Sequence, residues 1–192
     1  REMSTIPPAI ALLSQILKDQ GHTTDVFDTT FYKFDDEISI GEVDKSRAKS
    51  LQHRPILNVD DDNLHFEKES SDPAVDLRKK IIEYKPDLLA VSCSETTFMR
   101  GLRLISATRD LGVINVFGGV FPTFAPHLVM KYEDIDMLCV GEGEIALVDL
   151  VQCICEDKDY SNVTNLWVRQ KDRTIKKNKI TKPVDINNIP SV

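Results

Sequence analysis

The chain has 192 residues, 41% of them hydrophobic and 29% charged, with a net charge of −7. That size and balance describe one globular domain with a real core and room for a small appendage. The acid excess excludes a nucleic-acid-binding face, which needs clustered Lys and Arg, and no apolar run approaches the length of a membrane span.

The opening "REMSTIPPAIALL" reads as the continuation of a longer chain. A helix is expected from Pro8 to Gln20, with Ile10, Leu13 and Leu17 on one stripe and Gly21 as its C′ residue. "TTDVFDTT" predicts a short strand over Thr23–Asp28. Residues 31–71 then lose periodicity and turn polar and acidic, which marks an insertion serving as a lid, a docking segment or a partly disordered loop. The run Asp60, Asp61, Asp62 lacks a Gly-containing calcium-loop pattern and reads as a solvated acidic loop.

Regularity returns at Asp72, an N-cap followed by Pro73 at the first helical position; the helix extends to about Tyr84. Leu88–Cys93 is a near-continuous apolar run, as expected of a strand covered on both faces. A helix follows over Thr96–Asp110, stopped by Gly112, then a strand over Val113–Phe117 and a short helix over Ala125–Lys131. Asp136–Val140 is the next strand and Ile145–Cys155 the next helix. Strand and helix alternate, which specifies an α/β fold with a doubly wound parallel sheet. Leu166–Arg169 and Thr174–Lys177 form a small C-terminal β-hairpin around "KDR", and "PVDINNIPSV" is an extended linker. A doubly wound domain begins with a strand, so the first strand is expected to be missing ahead of Pro8.

The cysteines Cys93, Cys139, Cys153 and Cys155 lie in strands or on a helix and have no zinc-finger or CxxxCxxC spacing; they read as buried, reduced thiols. With no signal-peptide pattern in these residues, the expected location is the cytoplasm. His22, His53, His65 and His127 have no partner at ligand spacing, so no metal-ligating or catalytic residue is assigned.

Three strand exits carry the chemistry. The first is "VSCSETT", where Ser92, Ser94, Thr96 and Thr97 offer small hydroxyls; Ser94 is equally a helix N-cap. The second is Gly118-Gly119 followed by Val120, Phe121, Pro122 and Thr123. Two glycines at a strand end suit either close approach of a ligand to bare backbone or a turn needing positive φ. The third is Gly141-Glu142-Gly143-Glu144, which opens a helix where carboxylates suit the dipole and repel phosphate. No GxGxxG, GxxxxGK[ST] or GxSxG pattern is present, so dinucleotide binding, nucleotide hydrolysis and a serine-nucleophile elbow are poor readings.

Taken in order, "PPAIALLSQILKDQGHTTDVFD", "LLAVSCSETTF", "VFGGVFPTFAP", "IDMLCVGEGE" and "NLWVR" resemble the N-terminal cobalamin (vitamin B12)-binding domain of cobalamin-dependent radical SAM enzymes. The resemblance covers most of the chain outside residues 31–71. It implies a five-stranded, flavodoxin-like (Rossmann-like) parallel sheet with the corrin ring over the carboxyl ends of the strands. It implies that Ser92, Ser94 and Thr97 lie beside the nucleotide tail, with Gly118 and Gly119 making room for it. Val120, Phe121, Pro122 and Thr123 would lie near the ring, and Gly141, Glu142 and Gly143 would close the pocket. The DxHxxG motif, whose His ligates cobalt in methionine-synthase-like domains, does not occur, so the resemblance implies a cofactor held without a protein His below it.

The same resemblance implies two domains: a cobalamin-binding domain over residues 1–160, and a hairpin and linker over 161–192 leading to a C-terminal radical SAM domain of the same protein. That domain would carry an iron–sulfur (4Fe–4S) cluster and S-adenosylmethionine. The fragment would then bind cobalamin, as methyl carrier, without turning over, while the whole protein would act as a methyltransferase or cyclase on an unknown substrate. The alternatives are a non-catalytic flavodoxin-like or receiver-like module, or an interaction scaffold. A homodimer that replaces the missing strand is a further expectation.

Overall fold

The computed structural model describes residues 8–29, 32 and 71–182. The chain divides into two compact units, Asp28–Pro73 and the remainder. The expected acidic loop and the terminal linker lie outside the described residues.

Helix α1 spans Pro8–Asp19 and α2 spans Pro73–Tyr84. They are followed by β1 (Leu88–Ser92), α3 (Glu95–Thr108), β2 (Ile114–Gly118), α4 (Val120–Phe124) and α5 (Pro126–Val129). The order closes with β3 (Met137–Cys139), α6 (Glu144–Cys155), β4 (Leu166–Arg169) and β5 (Ile175–Lys177). The sheet runs β1-β2-β3-β4-β5. The first three strands are parallel, and β4 and β5 add antiparallel. The sheet is therefore mixed rather than wholly parallel. Residues 156–165 carry the chain from the end of α6 back to the carboxyl end of β3, so Leu166 pairs with Cys139 and β4 runs the other way. The hairpin thus belongs to the same sheet as the parallel strands.

Alternation along each strand sorts the core into two layers. Val91, Phe117, Leu138 and Trp167 form a row across four strands, covered by Phe98, Leu102 and Ile105 of α3 and by Val129 of α5. On the opposite face Val116, Met137, Cys139, Leu166 and Val168 pack under Ala146 and Leu150 of α6. Leu77 and Ile81 of α2 form a satellite cluster with Leu104 and Phe27.

Two expectations are corrected. Thr23–Asp28 is not a strand. Its polar groups are taken locally: Lys80 pairs with Asp25 at 2.8 Å and donates to the Val26 carbonyl at 3.0 Å, and the Val26 N–H donates to Asp25 Oδ1 at 2.7 Å. Side-chain bonds of this kind compete with a ladder. The segment after Gly119, expected to be part of a strand exit with no helix of its own, is the short helix α4.

The amino ends of the strands are tied by one carboxylate. Asp136 Oδ2 accepts from Arg109 at 2.7 Å, from the Asn115 N–H at 3.0 Å and from Asn115 Nδ2 at 2.9 Å, and Arg109 also reaches Oδ1. Asn115 is fully buried. Removing Asp136 leaves the buried Asn115 N–H without its acceptor and breaks the ion pair of the exposed Arg109, so Asp136→Ala is expected to cost about 1–3 kcal/mol in urea unfolding. A loss below about 0.5 kcal/mol, the range of an ordinary surface substitution, would show that the hub is ornamental.

Candidate functional site

The parallel strands end side by side, and all three predicted exits meet there. Ser92 pairs in register with Gly118, and both lie on the α6 face of the sheet. One residue earlier on that face of β1, Ala90 is exposed, as is Ser92 itself; Gly118 is half-buried. A Cβ added at Gly118 would meet nothing closer than Cys139 Cβ at 3.9 Å. Ala90, Ser92 and Gly118 therefore form a shallow floor of small groups, open among the described residues.

Gly119 has a different job. Its φ is +102°, and an added Cβ would lie 2.6 Å from the Cys93 carbonyl oxygen. The Cys93 N–H also donates to the Gly118 carbonyl at 2.9 Å, so the two strand exits are pressed backbone to backbone. Only glycine fits there.

The hydroxyls of the first exit are partly committed to one another. Ser94 is the N-cap of α3, and its N–H donates to Thr97 Oγ1 at 2.9 Å. Its own Oγ lies 3.0 Å from Thr96 Oγ1 and 3.2 Å from Thr97 Oγ1. Ser94, Thr96 and Thr97 all remain exposed.

Helix α4 splits its residues between two environments. Phe121 packs against Phe98 with ring centroids 5.0 Å apart, and Pro122 is buried. Val120 is 65% exposed and Phe124 is 84% exposed, which gives α4 an exposed apolar side at the carboxyl end of β2. Phe124 was not singled out in the sequence, although its position one turn after Val120 puts both on one helical side. Thr123 Oγ1 accepts from the Gly141 N–H at 3.1 Å, so Thr123 holds the third exit in place. In that exit Gly141 and Glu142 are exposed, Gly141 has φ +87°, and a Cβ added at Gly143 would lie 3.6 Å from the Leu13 side chain of α1.

Burial pushes the Cys93 thiol up to about 12. The Cys139 thiol rises to about 11, through burial first and then the charges of Glu144 and Glu142. Cys155, expected to be buried, is exposed at the end of α6, and Cys153 is half-buried. A half-open hollow of about 280 Å³ beside Arg109, Asp136, Tyr160 and Arg169 lies at the amino ends of the strands. Its ionic groups are already paired: Arg169 donates to the carbonyls of Ile135, Met130 and Tyr132, and Arg109 to Asp136. It is a structural seam.

The fit to a corrinoid can be judged on these residues. A bulky group with a trailing base needs bare floor, a polar edge and an apolar rim, and the carboxyl ends supply all three. At the start of α6, Glu144 Oε2 is buried with no hydrogen-bond partner among the described residues, an acceptor to spare. Among the described residues no cluster of His, Cys, Asp and Glu is arranged to hold a metal ion.

Two outcomes test this geometry. Gly119→Ala is expected to lower the melting temperature, the backbone clash costing about 2 kcal/mol or more, whereas Gly118→Ala stays within about 1 kcal/mol. At pH 8 a raised pKa leaves a thiol protonated and unreactive. Iodoacetamide followed by peptide mapping should therefore label Cys155 and spare Cys93 and Cys139; equal labelling would contradict their burial.

A family model described as "B12 binding domain" matches residues 57–151. The chain is 28% identical over 102 residues to the anaerobic magnesium-protoporphyrin IX monomethyl ester cyclase of Synechocystis sp., covering 50% of this chain and 20% of that protein. Among solved structures it is similar to the radical S-adenosylmethionine methyltransferase TsrM from Kitasatospora setae with cobalamin and a 4Fe–4S cluster bound. The TM-score is 0.65 at 19% identity, over 99% of this chain and 29% of that one. It is also similar to the apo form of the cobalamin-dependent S-adenosylmethionine radical enzyme OxsB, with a TM-score of 0.52 at 19% identity, over 61% of this chain and 17% of that one. The chain thus spans under a third of the length of each of these relatives. With the family match, the fold and the open strand tips in agreement, this chain carries a B12-binding domain that resembles the one found in cobalamin-dependent radical SAM enzymes.

Proposed function

We propose that this domain holds a cobalamin over the carboxyl ends of β1, β2 and β3, with its nucleotide tail along the small-residue floor. The carrying observation is the patch Ala90, Ser92, Gly118: two exposed residues and a half-buried glycine, bare of large side chains, on a domain of the B12-binding family. Ser92, whose hydroxyl has no partner among the described residues, and the hydroxyls of Ser94 and Thr97 supply the polar edge. Val120 and Phe124 supply apolar cover for a flat macrocycle and keep water from it. The loop Gly141, Glu142, Gly143 closes the third side.

When bound, the corrinoid supplies a methyl-carrying metal centre. The protein's own part is to bind, orient and shield it. We take the catalytic partner to be a radical SAM domain of the same longer polypeptide, using a 4Fe–4S cluster and S-adenosylmethionine, with methyl transfer or cyclisation as the reaction class. The strongly exposed Phe124, together with Leu128 at 51% exposure, supports a face that such a domain covers.

The test is retention of hydroxocobalamin by the chain after desalting, read by corrin absorbance. Gly118→Leu is the informative variant, because bulk there fills the floor without meeting backbone. It is expected to weaken binding by about tenfold or more, equivalent to about 1.4 kcal/mol. Gly119→Leu is unsuitable, since it disturbs the fold. Unchanged uptake by a folded Gly118→Leu variant would move the cofactor away from this floor.

A further inference from the structure

The third exit is held by a residue from outside the strand tips. Asn165 stands just before β4, is 2% exposed and has φ +64°. Its Nδ2 donates to the Glu142 carbonyl at 2.8 Å. Its Oδ1 accepts from the Thr181 N–H at 2.7 Å and from the Thr181 hydroxyl at 3.2 Å. Its main chain is used as well: its carbonyl accepts from the Val140 N–H at 2.8 Å, and its N–H donates to Lys179 at 3.0 Å. One buried carboxamide thus fastens the loop after β3 to the end of the hairpin.

That loop has few other fastenings. Gly141, with positive φ, and Glu142 are exposed, and among the described residues the one side-chain acceptor for the loop's N–H groups is Thr123 Oγ1, which takes the Gly141 N–H. Two glycines in four residues make it intrinsically loose. A binding loop must be preorganised to spend little entropy when its ligand arrives. The position is also chemically selective: it needs a residue that tolerates φ > 0 and has a donor and an acceptor on one planar group. Asn meets all of these at once.

We infer that Asn165 is the positioning residue of the cofactor site: its amide fixes the Gly141–Glu142–Gly143 loop in the shape that receives the corrinoid, without itself touching it. This rests on the function proposed above. The two ends of the amide separate the role from general stability. The Nδ2 end serves the cofactor loop, and the Oδ1 end serves Thr181.

The experiment measures methylcobalamin affinity by absorbance titration, well below the melting temperatures, for the unmodified chain, Asn165→Gly and Thr181→Val. Glycine keeps the positive φ and deletes both side-chain contacts. Asn165→Asp, which keeps the acceptor for Thr181 and removes the donor to Glu142, is read the same way and replaces Asn165→Gly should that variant fail to fold. Amide hydrogen exchange over residues 141–144 is followed in parallel. The expected result is an affinity loss of about tenfold for the Asn165 variants, from one lost hydrogen bond. Exchange should speed in the loop and stay unchanged in β2 and β3. Thr181→Val should lower the melting temperature slightly and leave affinity within about twofold. A folded Asn165 variant that binds within about twofold of the unmodified chain overturns the inference alone. Failure of the unmodified chain to bind overturns the proposed function, and the inference falls with it.

Discussion

Everything at the carboxyl side of this sheet depends on the contact between Gly119 and Cys93. Two parallel strands are 4.7–4.9 Å apart, and side chains at their exits normally splay the chains that follow. Here a single missing Cβ lets the β2 exit lie against the Cys93 carbonyl. That closeness turns the chain straight into α4 on the α3 face. On the other face, beyond the cover of α6, Ala90 and Ser92 stay exposed among the described residues, beside the half-buried Gly118. The glycine pair therefore divides the labour: the second glycine shapes the backbone and the first leaves the space.

The opposite end of the sheet shows the contrasting strategy. There Asp136, Asn115, Arg109 and Arg169 consume one another's hydrogen-bonding capacity, with main-chain carbonyls taking the remaining donors. Such a network fixes strand register and leaves nothing for a ligand. At the carboxyl end, among the described residues, polar groups are left over instead: the Ser92 hydroxyl and one oxygen of Glu144. This asymmetry between a saturated end and an unsaturated end separates scaffold from site in physical terms, even though a hollow of about 280 Å³ lies at the saturated end.

Much of this was legible in the sequence because it was periodic or local. The parallel strands and the helices between them declared themselves by apolar runs and glycine stops; Leu166–Arg169 was placed to the residue. The three exits were found because glycine and serine clusters interrupt those runs. What escaped depended on tertiary partners. Thr23–Asp28 has strand-like residues, yet Lys80, more than fifty positions away, takes its hydrogen bonds. The antiparallel union of the hairpin with β3 follows from the path of residues 156–165, which no pattern announces. Asn165 looked like an ordinary residue ahead of a strand; its importance comes from what folding places at either end of its amide.

The chain has a single tryptophan, Trp167, two residues past Asn165. Its indole sits at 8% exposure in the inner row of the sheet, edge-on to His127 at 4.8 Å and beneath the Lys177 ammonium at 4.5 Å. The molecule therefore carries its own optical probe. Emission at indole wavelengths comes from one address, in the strand that joins the hairpin to the parallel core, and any disturbance of that join changes its colour or brightness without a foreign dye.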